Sequence, residues 1–293
     1  MKNPLISVII ATHNSEATIE KCLTSLISQT YPQESYEIIV VDDGSKDKSV
    51  ELSEKFGADK IKVTEPCSLG QARNIGVKEA NGRFLAFFDS DCIAEKFWIE
   101  TIAKELQNHD AISGPVMNGN FYSYVAWADY LLEFSAFHEY KKRAVIDFMP
   151  GCNQACTKEA FDKSGGFLDK RLSDDVYFGH LLKKAGIKII FVPEFKMFHL
   201  CRTQIKQIKS NQELLGKYSV RNSVTIPSNY AKLTKSRWYV PLIFLLRIGA
   251  KARNAVKAKR LGKFVVSFPI ILMGSYFWCK GVWKEITYNS QNR

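Results

Sequence analysis

Residues 85–92, LAFFDSDC, are an apolar run that ends in two carboxylates, Asp89 and Asp91, with one serine between them. Leu, Ala and Phe in succession are typical of a β-strand that is buried on both faces. Two carboxylates at the edge of the hydrophobic core repel each other and lose hydration. A bound divalent cation offsets both energetic costs. A solvated turn is the alternative, and the apolar run in front of the pair favours the metal site.

Further apolar runs, rich in β-branched residues, predict strands at 5–11, 36–41 and 60–64. Amphipathic spacing predicts helices at 19–27 and 68–80, and the fourth strand is RFLAFF. Apolar strands that alternate with helices imply an α/β fold whose mostly parallel sheet is covered on both faces.

Three of these strands end in polar clusters, at residues 12–14, 42–45 and 89–91. In parallel sheets, ligands bind beyond the carboxyl ends of the strands. We therefore expect the three clusters to form one site.

Beyond residue 91 the alternation loosens. A strand at 110–116 and a helix at 122–140 are followed by the glycine-punctuated segment 149–175. A helix at 175–186 and a strand at 187–192 then lead to MFHL, after which the periodicity is helical and basic.

Charge is distributed unevenly over the 293 residues, whose net charge is +11. From residue 196 onward there are 19 Lys and Arg but two acids, whereas the part before it has 22 bases and 28 acids. Seven scattered cysteines without a complete zinc pattern favour free thiols in a reducing compartment. The N-terminal apolar stretch is too short for a signal peptide, so we expect a cytosolic body and a basic tail.

Several side chains near the predicted site allow two interpretations. Asp42 and Asp43 could start a turn or cap a helix, or they could bind a base or ribose. Arg73, which lies among small residues, needs an anion, either a local acid or the diphosphate of a ligand.

Asp174 and Asp175 could stabilise the start of the following helix, or one of them could be a general base. His199 could be a packed histidine or a ligand. The sequence lacks a dinucleotide-binding glycine motif, a Walker loop and a nucleophile elbow.

Taken in order, these segments resemble inverting family-2 glycosyltransferases with the GT-A fold: SVIIATHN, IIVVDDGSKDKS, GQARNIGVKEANGRFLAFFDSD and GGFLDKRLSDDVYFGHLLKKAGIKIIFVPEFKMFH. The resemblance spans residues 4–200. It implies a Rossmann-like fold, a nucleotide-sugar donor, first of all a UDP-sugar, and Mn²⁺ or Mg²⁺ as cofactor. The Q-x-x-R-W signature of processive synthases is absent, which favours a single transfer per encounter.

The resemblance also implies roles for single residues. Thr12 and Asp43 would line the nucleotide pocket, and Arg73 would contact the base or the diphosphate. The residues that match the metal site are Asp91, His199 and Asp89, of which Asp89 lies nearer the ribose.

On the acceptor side, Asp175 matches the catalytic base, and Asp174 stands where the family usually has glutamate. Asn153 falls where the acceptor-side wall is expected. The implied mechanism is attack by an acceptor hydroxyl that loses its proton to Asp175, with inversion at the anomeric carbon.

The tail has two apolar segments, 239–246 and the uncharged run 264–279, on either side of a basic block. A buried core helix is the alternative to a hairpin that lies in a membrane interface, with the basic block against anionic lipid. Trp and Tyr at the edges favour the hairpin. No RNA-recognition or zinc-finger signature accompanies the charge, so we expect no nucleic-acid partner.

The expected organisation is a GT-A catalytic domain at 1–205, with a nucleotide-binding half at 1–91 and an acceptor-binding half at 92–205. A helical, membrane-associating tail follows at 206–293. We expect a glycosyltransferase at the cytoplasmic face of the inner or plasma membrane, acting on a glycan or lipid-linked acceptor in polysaccharide biosynthesis. The alternatives are a catalytically silent membrane adaptor and a nucleotidyltransferase, although ATHNSEAT lacks the basic glycine-rich loop of the latter.

Overall fold

The computed structural model describes residues 4–169, 173–223 and 233–291. The chain divides into two compact units, Met1–Gly119 with Lys141–Leu200 and Asn120–Tyr140 with Cys201–Arg293. The functional partition expected from the sequence, at residues 91 and 205, stays a prediction. Residues 170–172 of the glycine-punctuated segment lie outside the described residues.

The first unit contains all the described strands. They are β1 Ile6–Thr12, β2 Tyr36–Asp42, β3 Lys60–Val63, β4 Phe84–Asp89, β5 Cys92–Ala94, β6 Ala111–Ser113, β7 Val116–Asn118, β8 Ala144–Ile146, β9 Asn153–Thr157, β10 Ile189–Phe191 and β11 Met197–His199.

The described helices are α1 Ile19–Ile27, α2 Ser49–Lys55, α3 Leu69–Glu79, α4 Trp98–Glu105, α5 Tyr124–Glu133, α6 Lys158–Ser164, α7 Asp174–Lys184, α8 Ile205–Ser223, α9 Val240–Lys257 and α10 Leu261–Gln291. Helices α5, α8, α9 and α10 belong to the second unit.

The central sheet has eight strands in the order β3-β2-β1-β4-β9-β6-β10-β8. Strands β1 to β4 pair in parallel, whereas β9 runs antiparallel to both of its neighbours. A smaller sheet has the order β5-β11-β7. The α/β fold with a mostly parallel sheet is therefore confirmed.

Differences from the sequence-based elements have local causes. The strand expected at 110–116 is two strands, β6 and β7, separated by Gly114 and Pro115. Gly114 packs so closely on Phe195 that an added Cβ would lie 1.9 Å from the Phe195 carbonyl oxygen. The helix expected at 122–140 ends earlier, at Glu133. Strand β9 was not predicted, because NQACT begins with two polar residues that nevertheless lie in the core.

Parallel register brings the strand ends together. Thr12 is the partner of Asp42, and Ala11 is the partner of Asp89. The loops that follow are also joined, since the Ser15 hydroxyl lies 2.8 Å from the Ser90 hydroxyl. The three polar clusters thus meet at one edge of the sheet, as expected.

An aromatic cluster anchors the segment that carries Asp174 and Asp175. Phe87 of β4 packs edge-on against Phe167, at 4.8 Å between ring centroids, and against Phe178 of α7, at 6.0 Å. The apolar run that predicted β4 therefore also holds the segment with Asp174 and Asp175 against the sheet.

Helices α8 and α10 of the second unit pack with their backbones in contact. A Cβ added to Gly216 would lie 1.9 Å from the Trp278 carbonyl oxygen, and one added to Gly281 would lie 2.0 Å from that of Glu213. Within α10, residues 261–289 are long and apolar enough to cross a membrane, and half of the most apolar window is buried. An apolar C-terminal helix that could associate with a membrane is therefore present.

Candidate active site

Arg73 is the centre of a buried ion-pair network. Helix α3 carries it, and only 1% of its surface is exposed. One terminal nitrogen donates to Asp174 Oδ2 at 2.7 Å, and the other donates to Asp89 Oδ1 at 2.8 Å. The second nitrogen also donates to the Gly151 carbonyl oxygen at 3.0 Å. Burial would lower the pKa of Arg73, but Asp174 and Asp89 more than reverse this and raise it.

Local packing explains why α3 brings Arg73 to this point. Gly76 faces the sheet so closely that an added Cβ would lie 2.4 Å from Ile9 Cγ2. On the other side, the Asn74 amide donates to the Phe167 carbonyl at 2.8 Å and accepts from the Phe167 N–H at 3.0 Å. The Phe167 ring lies 5.3 Å from the Arg73 guanidinium, a cation–π distance. Small residues in GQARNIG thus permit the close approach that the arginine needs.

Asp175 is held as a hydrogen-bond acceptor with a strongly perturbed acidity. The Gly151 N–H donates to its Oδ2 at 3.0 Å, and the Val176 N–H donates to its Oδ1 at 2.8 Å. Burial, reinforced by the charge of Asp174 and opposed by Arg73, raises the pKa of Asp175 to about 7. A carboxylate poised near neutral pH suits general-base catalysis.

Asp91 and His199 form the candidate metal site. His199 Nε2 lies 3.4 Å from Asp91 Oδ1. The side chain of Asp91 is 40% exposed, whereas that of His199 is 8% exposed. Cys92 faces His199 across the β5–β11 pair, and its Sγ lies 3.6 Å from Asp91 Oδ1. The possible ligand atoms of Asp91, Cys92 and His199 all lie within 4.8 Å of one another.

This donor set fits a divalent cation, because carboxylate and imidazole suit Mn²⁺ and an exposed carboxylate leaves room for ligand oxygens. Asp89, two residues from Asp91, forms an ion pair with Arg73. Burial and the nearby Asp91 raise the pKa of Asp89, and Arg73 opposes them. The predicted metal residues are thus close together, and their roles stay predictions.

The predicted nucleotide side is built from Thr12 and Asp43. Asp43 Oδ1 accepts a hydrogen bond from the Cys67 N–H at 2.5 Å. Thr12 Oγ1 is buried and has no hydrogen-bond partner among residues 4–169, 173–223 and 233–291. The same is true of Asp42 Oδ2, whose Oδ1 accepts from the Ser45 N–H. Unsatisfied buried oxygens of this kind need a partner, which a bound ligand could supply.

The predicted ligand contacts of Arg73 and Asn153 are not apparent in this geometry, because the terminal nitrogens of the arginine and the side-chain amide of the asparagine bond to other protein groups. Arg73 uses both terminal nitrogens on protein groups, so its expected contact with a base or diphosphate stays a prediction. Asn153 is fully buried; it donates to the Pro115 and Phe195 carbonyls and accepts from the Trp98 indole. That arrangement gives Asn153 a structural function, and its expected acceptor contact is untested.

Sequence reasoning missed Gly151, whose N–H contacts Asp175 and whose carbonyl contacts Arg73. It also missed Cys92 at the candidate metal site, and Ser90, whose hydroxyl contacts Ser15 of the first loop. The glycine in MPGCNQA was a signal for Gly151, but the contact partners of its peptide groups have no sequence signature.

Known proteins with similar sequences are glycosyltransferases. The model of glycosyl transferase family 2 matches residues 7–165. Glycosyltransferase GlyG of Streptococcus pneumoniae is 31% identical over 64% of this chain and 68% of its own. Glycosyltransferase AglE of Haloferax volcanii is 39% identical, but the match spans 33% of this chain and 34% of that protein.

Solved structures establish the fold. Mannosyltransferase PcManGT from Pyrobaculum calidifontis, in complex with GDP-Man and Mn²⁺, has a TM-score of 0.68 at 17% identity; the match covers 98% of this chain and 88% of that one. Residues 1–349 of S. aureus TarS in complex with UDP-GlcNAc have a TM-score of 0.55, also at 17% identity, with coverage of 98% and 92%. The chain belongs to glycosyl transferase family 2 and has the GT-A fold.

Proposed function

We propose that this glycosyltransferase moves a hexose from a nucleotide-sugar donor to an acceptor hydroxyl, with inversion and with dependence on a divalent cation. The observation that carries the proposal is the single network that links Asp89, Arg73, Asp174 and Gly151 to Asp175. It joins the end of β4, where the donor would bind, to the start of α7, where the acceptor would lose its proton.

Each residue has a distinct task in this proposal. Asp175, with a pKa of about 7, takes the proton of the acceptor hydroxyl. Arg73 fixes Asp89 and Asp174 by ion pairs, while Thr12 and Asp43 offer oxygen atoms to the nucleoside. A cation held by Asp91 and His199 would neutralise the diphosphate as it leaves. Cys92 borders that position.

The donor class is supported by the ligands in the names of the structural neighbours, GDP-Man for PcManGT and UDP-GlcNAc for TarS. We take a UDP-sugar as the first candidate, because the sequence resemblance implies such a donor and UDP-GlcNAc is the ligand named for TarS. Mn²⁺ is the first cation to test, since PcManGT is named as a complex with it.

The acceptor in this proposal is a glycan or a lipid-linked sugar in polysaccharide biosynthesis. The apolar helix Leu261–Asn289 and the excess of basic residues after 196 support an anionic membrane surface as the place of reaction, on the cytoplasmic face. Anionic lipid, not nucleic acid, is the proposed partner of the basic tail.

The test is binding and turnover with UDP-, GDP- and dTDP-sugars, with Mn²⁺ or Mg²⁺ and then with EDTA. We expect one donor to bind only with metal, Asp91→Asn to abolish that binding, and Asp175→Asn to spare binding and stop turnover. Asp147→Asn is the matched control, because Asp147 is an exposed carboxylate whose ion pair is with Lys183. Metal-independent binding of the donor would contradict the metal site.

Two other outcomes would replace the proposal. If no nucleotide sugar binds under any condition, the chain is a silent adaptor that keeps the fold. If a nucleotide is transferred and no sugar, it is a nucleotidyltransferase.

A further inference from the structure

We infer that the second unit binds an anionic bilayer through one face of α9 and α10, and that α10 lies along the bilayer surface without crossing it. The inference rests on the proposed membrane association and names the binding face and its mode. We call this face the apolar stripe; it consists of Leu242, Leu245, Val265, Val266, Tyr276 and Trp283.

The apolar stripe is exposed although its residues are large and apolar. Its side chains are between 42% and 66% exposed. Their spacing places them on one side of each helix, while Ile243 of α9 and Ile271 and Val282 of α10 are buried on the other side. Large apolar side chains exposed together mark an interaction surface.

The apolar stripe has one row of residues on α9 and one on α10, and these helices are neighbours. Ile243 of α9 packs in one buried cluster with Val282 of α10, and Ala255 packs with Phe264 in another. At the open end of the hairpin, the Arg237 guanidinium lies 5.5 Å from the Trp238 ring and 5.7 Å from the Trp283 ring. The two exposed rows therefore lie on helices that pack against each other.

The charge around the stripe identifies the partner as an anionic surface. The sequence has no acidic residue between Glu213 and Glu285, a span that contains both rows of the stripe. Arg253 lies on the same side of α9 as the stripe, and Lys257 and Lys263 are exposed near the turn. Apolar insertion combined with basic residues is the signature of binding to anionic lipid headgroups.

Two features argue that α10 does not cross the bilayer. Although Leu261–Asn289 is long and apolar enough to cross, its uncharged run, 264–279, lies between Lys263 and Lys280 and is about 24 Å long as a helix, shorter than the roughly 30 Å hydrocarbon core. In addition, α8 is in backbone contact with α10 at Gly216 and Gly281. Because α8 carries five charged side chains, a crossing α10 would draw charges into hydrocarbon, which is costly. These side chains are Lys206, Lys209, Glu213, Lys217 and Arg221.

The first experiment is flotation of the full chain with vesicles of phosphatidylcholine alone or mixed with phosphatidylglycerol. We expect binding to the mixed vesicles, and a loss of about tenfold or more in the double variant Leu245→Glu with Val266→Glu. Val145→Glu is the matched control, because Val145 is 60% exposed on β8 of the first unit. Equal binding by the double variant and the control would overturn the inference.

Tryptophan fluorescence gives a readout that does not depend on the folding of the double variant. Brominated phosphatidylglycerol should quench the fluorescence of the wild-type chain, and Trp283→Phe should remove part of that quenching. If quenching is unchanged in Trp283→Phe, or if the stripe variants only turn a dimer into a monomer, the stripe does not contact lipid.

The mode of binding is tested in cells with a C-terminal epitope tag. If α10 lies along the surface, the tag stays on the same side of the membrane as the first unit. Alkaline carbonate then releases the protein from the membrane. A tag that is digested from outside intact spheroplasts would show that α10 crosses.

Donor hydrolysis in detergent separates this inference from the proposed function. The stripe variants should keep the wild-type rate, since no stripe residue belongs to the site. Vesicle binding without any donor hydrolysis would refute the proposed function alone. Donor hydrolysis without vesicle binding would refute only the inference that the apolar stripe binds lipid.

Discussion

At the residue scale, the chemistry of Asp175 is set by what surrounds it. Burial and the charge of Asp174 raise its pKa to about 7, while Arg73 limits the rise. The basic form therefore accumulates as pH rises through about 7. We predict that the turnover rate increases over this interval and that Asp175→Asn loses about 10²–10⁴-fold in rate. A turnover rate that is flat between pH 6 and pH 8, or that Asp175→Asn leaves unchanged, would contradict Asp175 as the base.

The same pKa predicts a pH-dependent effect on stability. An unfolded aspartate titrates near pH 4, so between about pH 4 and 7 the folded chain binds more protons at Asp175 than the unfolded chain does. The free energy of unfolding therefore falls as pH rises through this window. Asp175→Asn removes that loss. The Tm of the variant minus the Tm of the wild type should therefore be larger at pH 8 than at pH 5. Thermal melts at the two pH values measure this, and equal differences would contradict it.

Arg73 is predicted to be irreplaceable by lysine. Its planar fork reaches Asp89, Asp174 and Gly151 at once, and a lysine ammonium cannot match that geometry. Arg73→Lys should lower the free energy of unfolding by about 1–3 kcal/mol and turnover by more than about tenfold. Urea titration and donor turnover measure the two effects.

The matched control is Arg143→Lys. Arg143 also makes a two-pronged ion pair, with Glu105, but its side chain is 45% exposed. Solvent should keep the cost of that change below about 1 kcal/mol. Equal costs at the two arginines would mean that the network at Arg73 contributes no more than a surface pair.

At the element scale, the position of α3 depends on residues without side chains. Gly76→Ala would force Cβ to within 2.4 Å of Ile9 Cγ2, so α3 must shift and carry Arg73 with it. We predict a loss of about 1–3 kcal/mol in the free energy of unfolding, with reduced turnover. Gly249→Ala in α9 is the control, since its added Cβ meets nothing within 4 Å and should stabilise by up to about 1 kcal/mol. Denaturant unfolding of both variants decides the matter.

At the scale of the whole molecule, the excess of basic residues and the proposed catalytic carboxylates lie in different parts of the chain. The part from residue 196 onward has 19 bases and two acids, whereas Asp89, Asp91 and Asp175 lie in the mildly acidic part. Salt screens attraction between exposed charges, with a Debye length of about 10 Å at 0.1 M and 3 Å at 1 M. We predict that high salt weakens binding to phosphatidylglycerol vesicles and leaves donor hydrolysis in detergent unchanged. Salt-independent vesicle binding would mean that basic residues do not contribute.

The sequence by itself determined the strands β1 to β4, the meeting of their polar ends and the family. These features follow from local patterns, because apolar runs predict buried strands and parallel pairing places their carboxyl ends at one edge. The DSDC turn, the GQARN segment and the SDD triplet are each contiguous, so their residues could be named as candidates before any contact was known. The basic, apolar tail is likewise visible in composition alone.

Only the tertiary structure decided how those candidates are joined. Arg73 pairs with Asp174, 101 residues away, and Gly151 donates to Asp175 across 24 residues. The Asn153 amide donates to two buried carbonyls, and α10 packs against α8 through Gly216 and Gly281. Contacts between distant segments depend on how whole elements pack, and periodicity within one segment has no information about them. The raised pKa of Asp175 depends in part on such contacts, because burial raises it and Arg73 of α3 opposes the rise.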